Sequence, residues 1–191
     1  GIQEDEMMVQ VVKNLQSVVE LPLQIDSSDP TAIEAGLRAY NGKPIVNSVN
    51  GNREVLEQIL PLCKKYGAAV VGLAMDHGGI PQTAQARIEI AQRILDAALE
   101  FGIPKEDVYI DCLTLTVSAQ QEQAVETLEA VRYVTQEMGL HTVLGVSNIS
   151  FGLPAREHIT VSFLTQAMYA GLESEGNYGC GDLLPGALLP G

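Results

Sequence analysis

The feature that most constrains this chain is a repeated unit. A stretch with apolar residues three and four apart is followed by a short apolar run, and an Asp or Asn closes or soon follows each run. The first helical stretch is Asp5 to Val19, where Met8, Val11, Val12, Leu15, Val18 and Val19 keep helical spacing. Leu21 to Ile25 is the strand after it. Asp29-Pro30 then opens a helix with a cap residue and a first-turn proline, and Asn41-Gly42 stops it after Tyr40.

The alternation continues to the end of the readable pattern. Strands are expected at Pro44 to Val46, Ala68 to Met75, Val108 to Ile110 and His141 to Val146. Helices are expected from about Arg53 to Tyr66, Thr83 to Phe101, Ala119 to Met138 and Arg156 to Ala170, with Gly67, Gly102 and Gly139 as stops. Units of about 20 to 40 residues in this order imply parallel strands joined by right-handed crossovers. The strands read as apolar throughout, which predicts a sheet covered on both faces. Two architectures fit: a doubly wound open sheet and a β/α barrel. A complete barrel takes about 250 residues, more than the 191 here, and the sequence shows five clear strands with a candidate sixth in the tail.

The polar residues at the strand ends carry the functional signal. Ile25 leads into Asp26, Val46 into Asn47, Met75 into Asp76, Ile110 into Asp111, and Val146 into Ser147-Asn148. In both architectures ligands bind at the carboxyl ends of the strands. Asp, Asn and Ser are also the ordinary helix caps of such loops. Here the caps are assigned further on, to Ser28 or Asp29, to Asn50 or Asn52, and to Ser118. A row that accepts and donates hydrogen bonds without a cation suits a neutral heterocycle with several N–H groups better than a phosphate. An oxygen-rich cation site at Asp26, Asp76 and Asp111 is the competing reading. His141 and His158 read as surface or packing residues, and Cys112 as a small buried apolar residue.

Charge and composition exclude some classes. Net charge is −13, from 24 acidic and 11 basic residues, which disfavours nucleic acid and anionic membrane surfaces as partners. Hydrophobic residues make up 46% and charged residues 18%, as in a folded globular domain. Cys63, Cys112 and Cys180 show no metal or disulfide spacing, so no metal site is assigned and a reducing cytoplasm is the expected location. The tail, residues 173–191, is rich in Gly, Pro and Leu. Its Gly176 to Gly181 stretch lacks the spacing of a phosphate loop.

At Ile25-Asp26-Ser27-Ser28, Val46-Asn47-Ser48, Tyr109-Ile110-Asp111 and Gly145-Val146-Ser147-Asn148-Ile149-Ser150, the sequence resembles the pterin-binding methyltransferase family. That family includes the methyltetrahydrofolate domain of cobalamin-dependent methionine synthase and methyltransferases that serve corrinoid proteins. The run Ser150-Phe151-Gly152-Leu153-Pro154-Ala155-Arg156 is similar to the methionine synthase branch. The resemblance covers residues 1–172. It implies a TIM (β/α)8 barrel of the dihydropteroate synthase-like type, here without the family's first two strands and with an atypical C-terminus.

The implied activity is transfer of the N5 methyl group of methyltetrahydrofolate to cobalamin or another corrinoid carried by a partner domain or protein. The resemblance makes Asn148 the residue that hydrogen-bonds N5. It assigns Asp26, Asn47 and Asp111 to the pterin edge, Gly145 and Ser147 to the pterin pocket, and Arg156 to the folate tail or the corrinoid partner. It also allows a homodimer. Dihydropteroate synthase-like chemistry is the second reading, disfavoured because a diphosphate leaving group calls for Arg or Lys where Ser147-Asn148-Ile149 stands. The third is an inactive barrel fragment.

Overall fold

The computed structural model describes residues 3–175, with side chains through Glu173. The Gly176 to Gly181 stretch, Cys180 and the rest of the tail lie outside the described residues.

Among the described residues, six α-helices and six strands alternate, with two short 3-10 helices in the connections. They are α1 (Glu4–Gln16), β1 (Gln24–Asp26), α2 (Pro30–Ala39), β2 (Ile45–Asn50), α3 (Arg53–Tyr66), β3 (Ala69–Leu73), α4 (Ala84–Glu100), β4 (Val108–Asp111), α5 (Gln123–Gln136), β5 (His141–Leu144), α6 (Arg156–Ala170) and β6 (Ser174–Glu175). Local chemistry sets many of the boundaries. The Asp29 carboxylate accepts from Thr31 N–H at 2.9 Å with Pro30 at the first helical position, which starts α2. Thr83 caps α4 through Ala86 N–H at 3.3 Å. Gly67 ends α3 in the left-handed conformation, and Ala68 N–H closes back on Cys63 O at 2.9 Å.

The strand order is β1-β2-β3-β4-β5-β6, and every pair is parallel. A doubly wound sheet would reverse direction part-way. A strictly consecutive order, with each helix packed beside the next, is the arc of a β/α barrel. The helices cover the outer face. Ile25, Val46, Val70, Ile110 and Leu144 point into that layer and are almost wholly buried, against a helix side that includes Ile33, Leu60, Ile94, Val131 and Phe163. Gly72 belongs to the same face. A Cβ there would stand 2.7 Å from Ile94 Cγ2, so only glycine lets α4 approach β3 this closely.

Partner residues in a parallel pair point to the same side, and that side recurs every second residue. Register therefore identifies the other face. Asp26 pairs with Asn47, Asn47 with Val71, Val71 with Tyr109, and Tyr109 with His141. Two residues on, Leu73 pairs with Asp111 and Asp111 with Val143. This is the concave face of the arc. It is half open: Asp26 is exposed, and Leu73, Tyr109, His141 and Val143 are half-buried. The expectation of strands covered on both faces holds for the central β3 alone. β1 and β5 alternate between buried and open, because their inner sides lie on the half-open concave face.

Other differences from the sequence reading are local. β2 does not stop before Asn47 but runs to Asn50, with one extra residue between the Asn47–Val71 and Val49–Gly72 pairs. α5 begins at Gln123 rather than Ala119, so Ser118 caps nothing. Its hydroxyl donates to Phe151 O at 3.0 Å instead. In the segment read as an atypical tail, Ser174 and Glu175 pair with Val143 and Leu144 as a parallel strand.

Candidate functional site at the strand ends

Asp26 and Asp111 are the last residues of β1 and β4, and Asn47 lies beside Asp26 on β2. All three share the concave face, as register requires. Asn47 Nδ2 donates to Asp26 Oδ2 at 3.3 Å. Partial burial raises the Asp26 carboxyl above its ordinary value, and the Asn47 amide offsets part of that rise. Asp111 stands two strands from Asn47 and two residues further along, about 12 Å at ordinary strand spacing and rise.

Asp111 is the most perturbed acid of the group. It is 5% exposed, and Oδ1 accepts from Leu113 N–H at 2.8 Å. Among the described residues Oδ2 has no hydrogen-bond partner. Burial pushes the carboxyl up to about 6, opposed by the Leu113 amide and by the positive charge of Arg87. A ligand that brings N–H donors to Oδ2 would stabilise the ionised form and draw the proton off.

The second group lies after β5. Gly145 is buried, and Ser147 and Asn148 fall in a short 3-10 helix, Val146–Ser150. The Asn148 side chain is exposed and makes no hydrogen bond among the described residues. Arg156 folds back over this turn. Its Nη2 donates to Ser147 O at 3.0 Å and its Nε to Ser150 Oγ at 3.2 Å, while the guanidinium lies 5.7 Å from the centre of the Phe151 ring. The loops after β4 and β5 are tied together. Thr116 Oγ1 donates to Phe151 O at 2.7 Å, and Val117 N–H to Ile149 O at 3.0 Å.

Asp76 does not share in this arrangement. It sits three residues past β3, where Oδ1 accepts from Gly78 N–H at 3.0 Å and Oδ2 from Arg93 at 3.2 Å. The Gly78 amide, then Arg93, hold its carboxyl below the ordinary range. It closes a turn. His77 pairs with Glu54 at 2.8 Å on the surface.

Residues 2–174 match the family described as pterin binding enzyme. The chain belongs to that family. Methionine synthase of Mycobacterium leprae (strain TN) is 35% identical over 173 residues, an alignment that covers 84% of this chain and 14% of that protein. Methylcorrinoid:tetrahydrofolate methyltransferase of Eubacterium limosum is 30% identical over 165 residues, covering 84% of this chain and 60% of that one. The chain thus spans a minor part of the first relative and about three fifths of the second. Among solved structures, dihydropteroate synthase from Thermus thermophilus superposes with a TM-score of 0.72 at 20% identity, over 90% of this chain and 72% of that one. That likeness shows the barrel fold.

One residue near Asp111 escaped the sequence reading. Arg87 is wholly buried on α4, within bonding distance of the backbone that follows Asp111. The signal was present in the helix period. Ala84, Arg87, Ala91, Ile94 and Ala98 lie on one buried stripe, and a cation in such a stripe must be held by something inside.

Proposed function

We propose that this chain is the pterin-holding part of a methyltransferase that moves the N5 methyl group of methyltetrahydrofolate to a corrinoid. The observation that carries the reading is the concave-face set Asp26, Asn47 and Asp111, with the free Asn148 amide on the loop after β5. Two relatives at 30% identity or more, methionine synthase and methylcorrinoid:tetrahydrofolate methyltransferase, support methyl transfer as the chemistry.

Each residue has a distinct task. Asp111 Oδ2 takes the pterin's amino and ring N–H edge, and the Asp26–Asn47 pair offers an acceptor and an amide further along the same edge. Gly145 and Ser147 line the pocket. The methyl carbon leaves N5 with the N–C bond pair returning to nitrogen, so N5 must gain a proton or a strong hydrogen bond as that bond breaks. The Asn148 carboxamide can donate or accept by rotating, and so follows N5 through the change. Arg156 commits two donors to its own loop and stacks on the exposed Phe151. Its remaining N–H groups meet the folate tail or the partner that brings the corrinoid.

No described residue is assigned as a cobalt ligand, and the open strand-end face with Phe151 and Arg156 at its rim fits an acceptor delivered from outside. When bound, the corrinoid supplies a nucleophilic cobalt. The protein's share of the rate is positioning and proton supply.

The test mixes the folded chain with methyltetrahydrofolate and cob(I)alamin and follows loss of the cob(I)alamin spectrum. A rate above the uncatalysed background, lost in Asn148→Ala, is expected. A background rate from a sample that binds methyltetrahydrofolate would overturn the transfer reading. Release of pyrophosphate from a pterin diphosphate would favour the synthase reading.

A further inference from the structure

Arg87 has an unusual environment for a wholly buried cation. All five of its hydrogen bonds go to uncharged acceptors. Nε donates to Pro81 O at 2.9 Å, Nη1 to Cys112 O at 3.1 Å, Leu113 O at 3.0 Å and Thr127 Oγ1 at 2.8 Å, and Nη2 to Gln123 Oε1 at 2.5 Å. No carboxylate touches it among the described residues. A buried charge without a contacting counter-ion is costly, so nearby carboxylates matter. Two are close enough to act on it, Glu126 and Asp111. The Glu126 carboxylate is committed to Ala84 N–H at 2.6 Å.

The two carbonyls that Arg87 grips belong to the residues right after Asp111. Leu113 is held at φ 64, a conformation disfavoured for a leucine. In that conformation its N–H points back at Asp111 Oδ1, and Oδ2 stays free of partners among the described residues. Thr127 Oγ1 accepts from Arg87 and lies 3.1 Å from Leu113 O and 2.9 Å from Gln123 O, which share its one proton, so α5 braces the same segment.

We infer that Arg87 is a positioning residue for the pterin site: it locks the backbone after β4 so that Asp111 presents one free carboxylate oxygen, and it supplies the buried positive charge that keeps that carboxylate ionisable. The inference rests on the pterin reading for what Asp111 binds, but the clamp of Arg87 on the backbone that aims Leu113 N–H at Asp111 stands on geometry. The surroundings contain few other candidates. Beside Asp111 on its neighbouring strands are Leu73 and Val143, both uncharged. The Cys112 thiol is pushed far above its usual range by burial and stays neutral. Tyr109 and His141, stacked on each other at 5.0 Å, lie one step further down the same face.

The coupling is read without a ligand. Aspartate labelled with 13C at the side-chain carboxyl is titrated in the full chain, with Asp111→Asn identifying the resonance. Arg87→Met, which keeps length and removes charge, should raise the Asp111 midpoint by at least half a pH unit. Gln123→Glu leaves Arg87 in place but gives it a carboxylate of its own, and should move the midpoint the same way. Arg87→Lys should leave it within a few tenths. Binding of methyltetrahydrofolate, followed by calorimetry against pH, should weaken at least about threefold at pH 5 in Arg87→Met, the fold-change that a half-unit shift implies below the midpoint, with its pH midpoint shifted in parallel.

An unmoved Asp111 midpoint in folded Arg87→Met overturns the inference. Should that variant fail to fold, an unmoved midpoint in Gln123→Glu does the same. A shifted midpoint in a chain that binds no methyltetrahydrofolate at any pH would sustain the coupling and overturn the pterin reading.

Discussion

Replacing Asp111 by Asn should change how stability depends on pH, and the size follows from the site. Burial lifts this carboxyl from its ordinary 3.8 to about 6. That difference corresponds to about 3 kcal/mol against the ionised form in the folded chain. The sign follows from which state holds the proton. Between about pH 4 and pH 6 the unfolded chain has released it and the folded chain still holds it. The contribution of Asp111 is therefore fully present below the unfolded value and is lost as pH rises through the folded one.

The wild-type chain should lose up to about 3 kcal/mol from this group across that window, and Asp111→Asn should not. Urea unfolding followed by circular dichroism at pH 4.5, 5.5, 6.5 and 7.5 measures both curves. Every other ionisable group is common to both proteins, so the difference between the curves isolates Asp111. Parallel curves would refute the assignment of a buried, proton-holding carboxyl. Ligand binding should run the opposite way. Affinity for methyltetrahydrofolate should rise with pH through about 6, by up to tenfold per pH unit below it, because the ligand selects the carboxylate.

Three further outcomes are expected. Asn148→Ala should lower methyl transfer by about 10²-fold while changing methyltetrahydrofolate affinity far less, measured by single-turnover kinetics against calorimetry, and equal losses in both would remove its N5 role. Asp26→Ala removes the carboxylate that accepts from Asn47 Nδ2 and should weaken binding by about 1 kcal/mol, with little effect on the transfer rate at saturation. Gly72→Ala places a methyl group 2.7 Å from Ile94 Cγ2 and should cost about 1–3 kcal/mol of stability in a thermal melt. Adding Ile94→Ala to it should recover stability relative to Ile94→Ala alone, and no recovery would place the strain elsewhere.

The alternation of helix and strand was legible because its causes are local. Asp29 with Pro30, Thr83 and Gly67 act within a few residues of themselves, and all stand where their boundaries were expected. The strand-end acids were legible for the same reason: Asp26 and Asp111 end their strands. Ser118 was misread because a serine before a helical period looks like a cap, while its actual partner, Phe151 O, lies 33 residues away. The extra residue in β2 was invisible because register depends on the neighbouring strand.

By itself, the sequence determined that this is a parallel β/α chain with a row of acids and amides where the strands end. Those properties come from periodicity and caps, which each segment carries alone. Only the tertiary structure decided that Asp26, Asn47 and Asp111 face the same way and that Asp76 is turned aside to Arg93. It also decided that one face of the sheet stays half open and that Arg87 reaches the backbone beyond Asp111, at Cys112 and Leu113, from 25 and 26 residues earlier in the chain. Each of these depends on strand register and helix packing between distant segments, and therefore on where separate pieces of the chain meet.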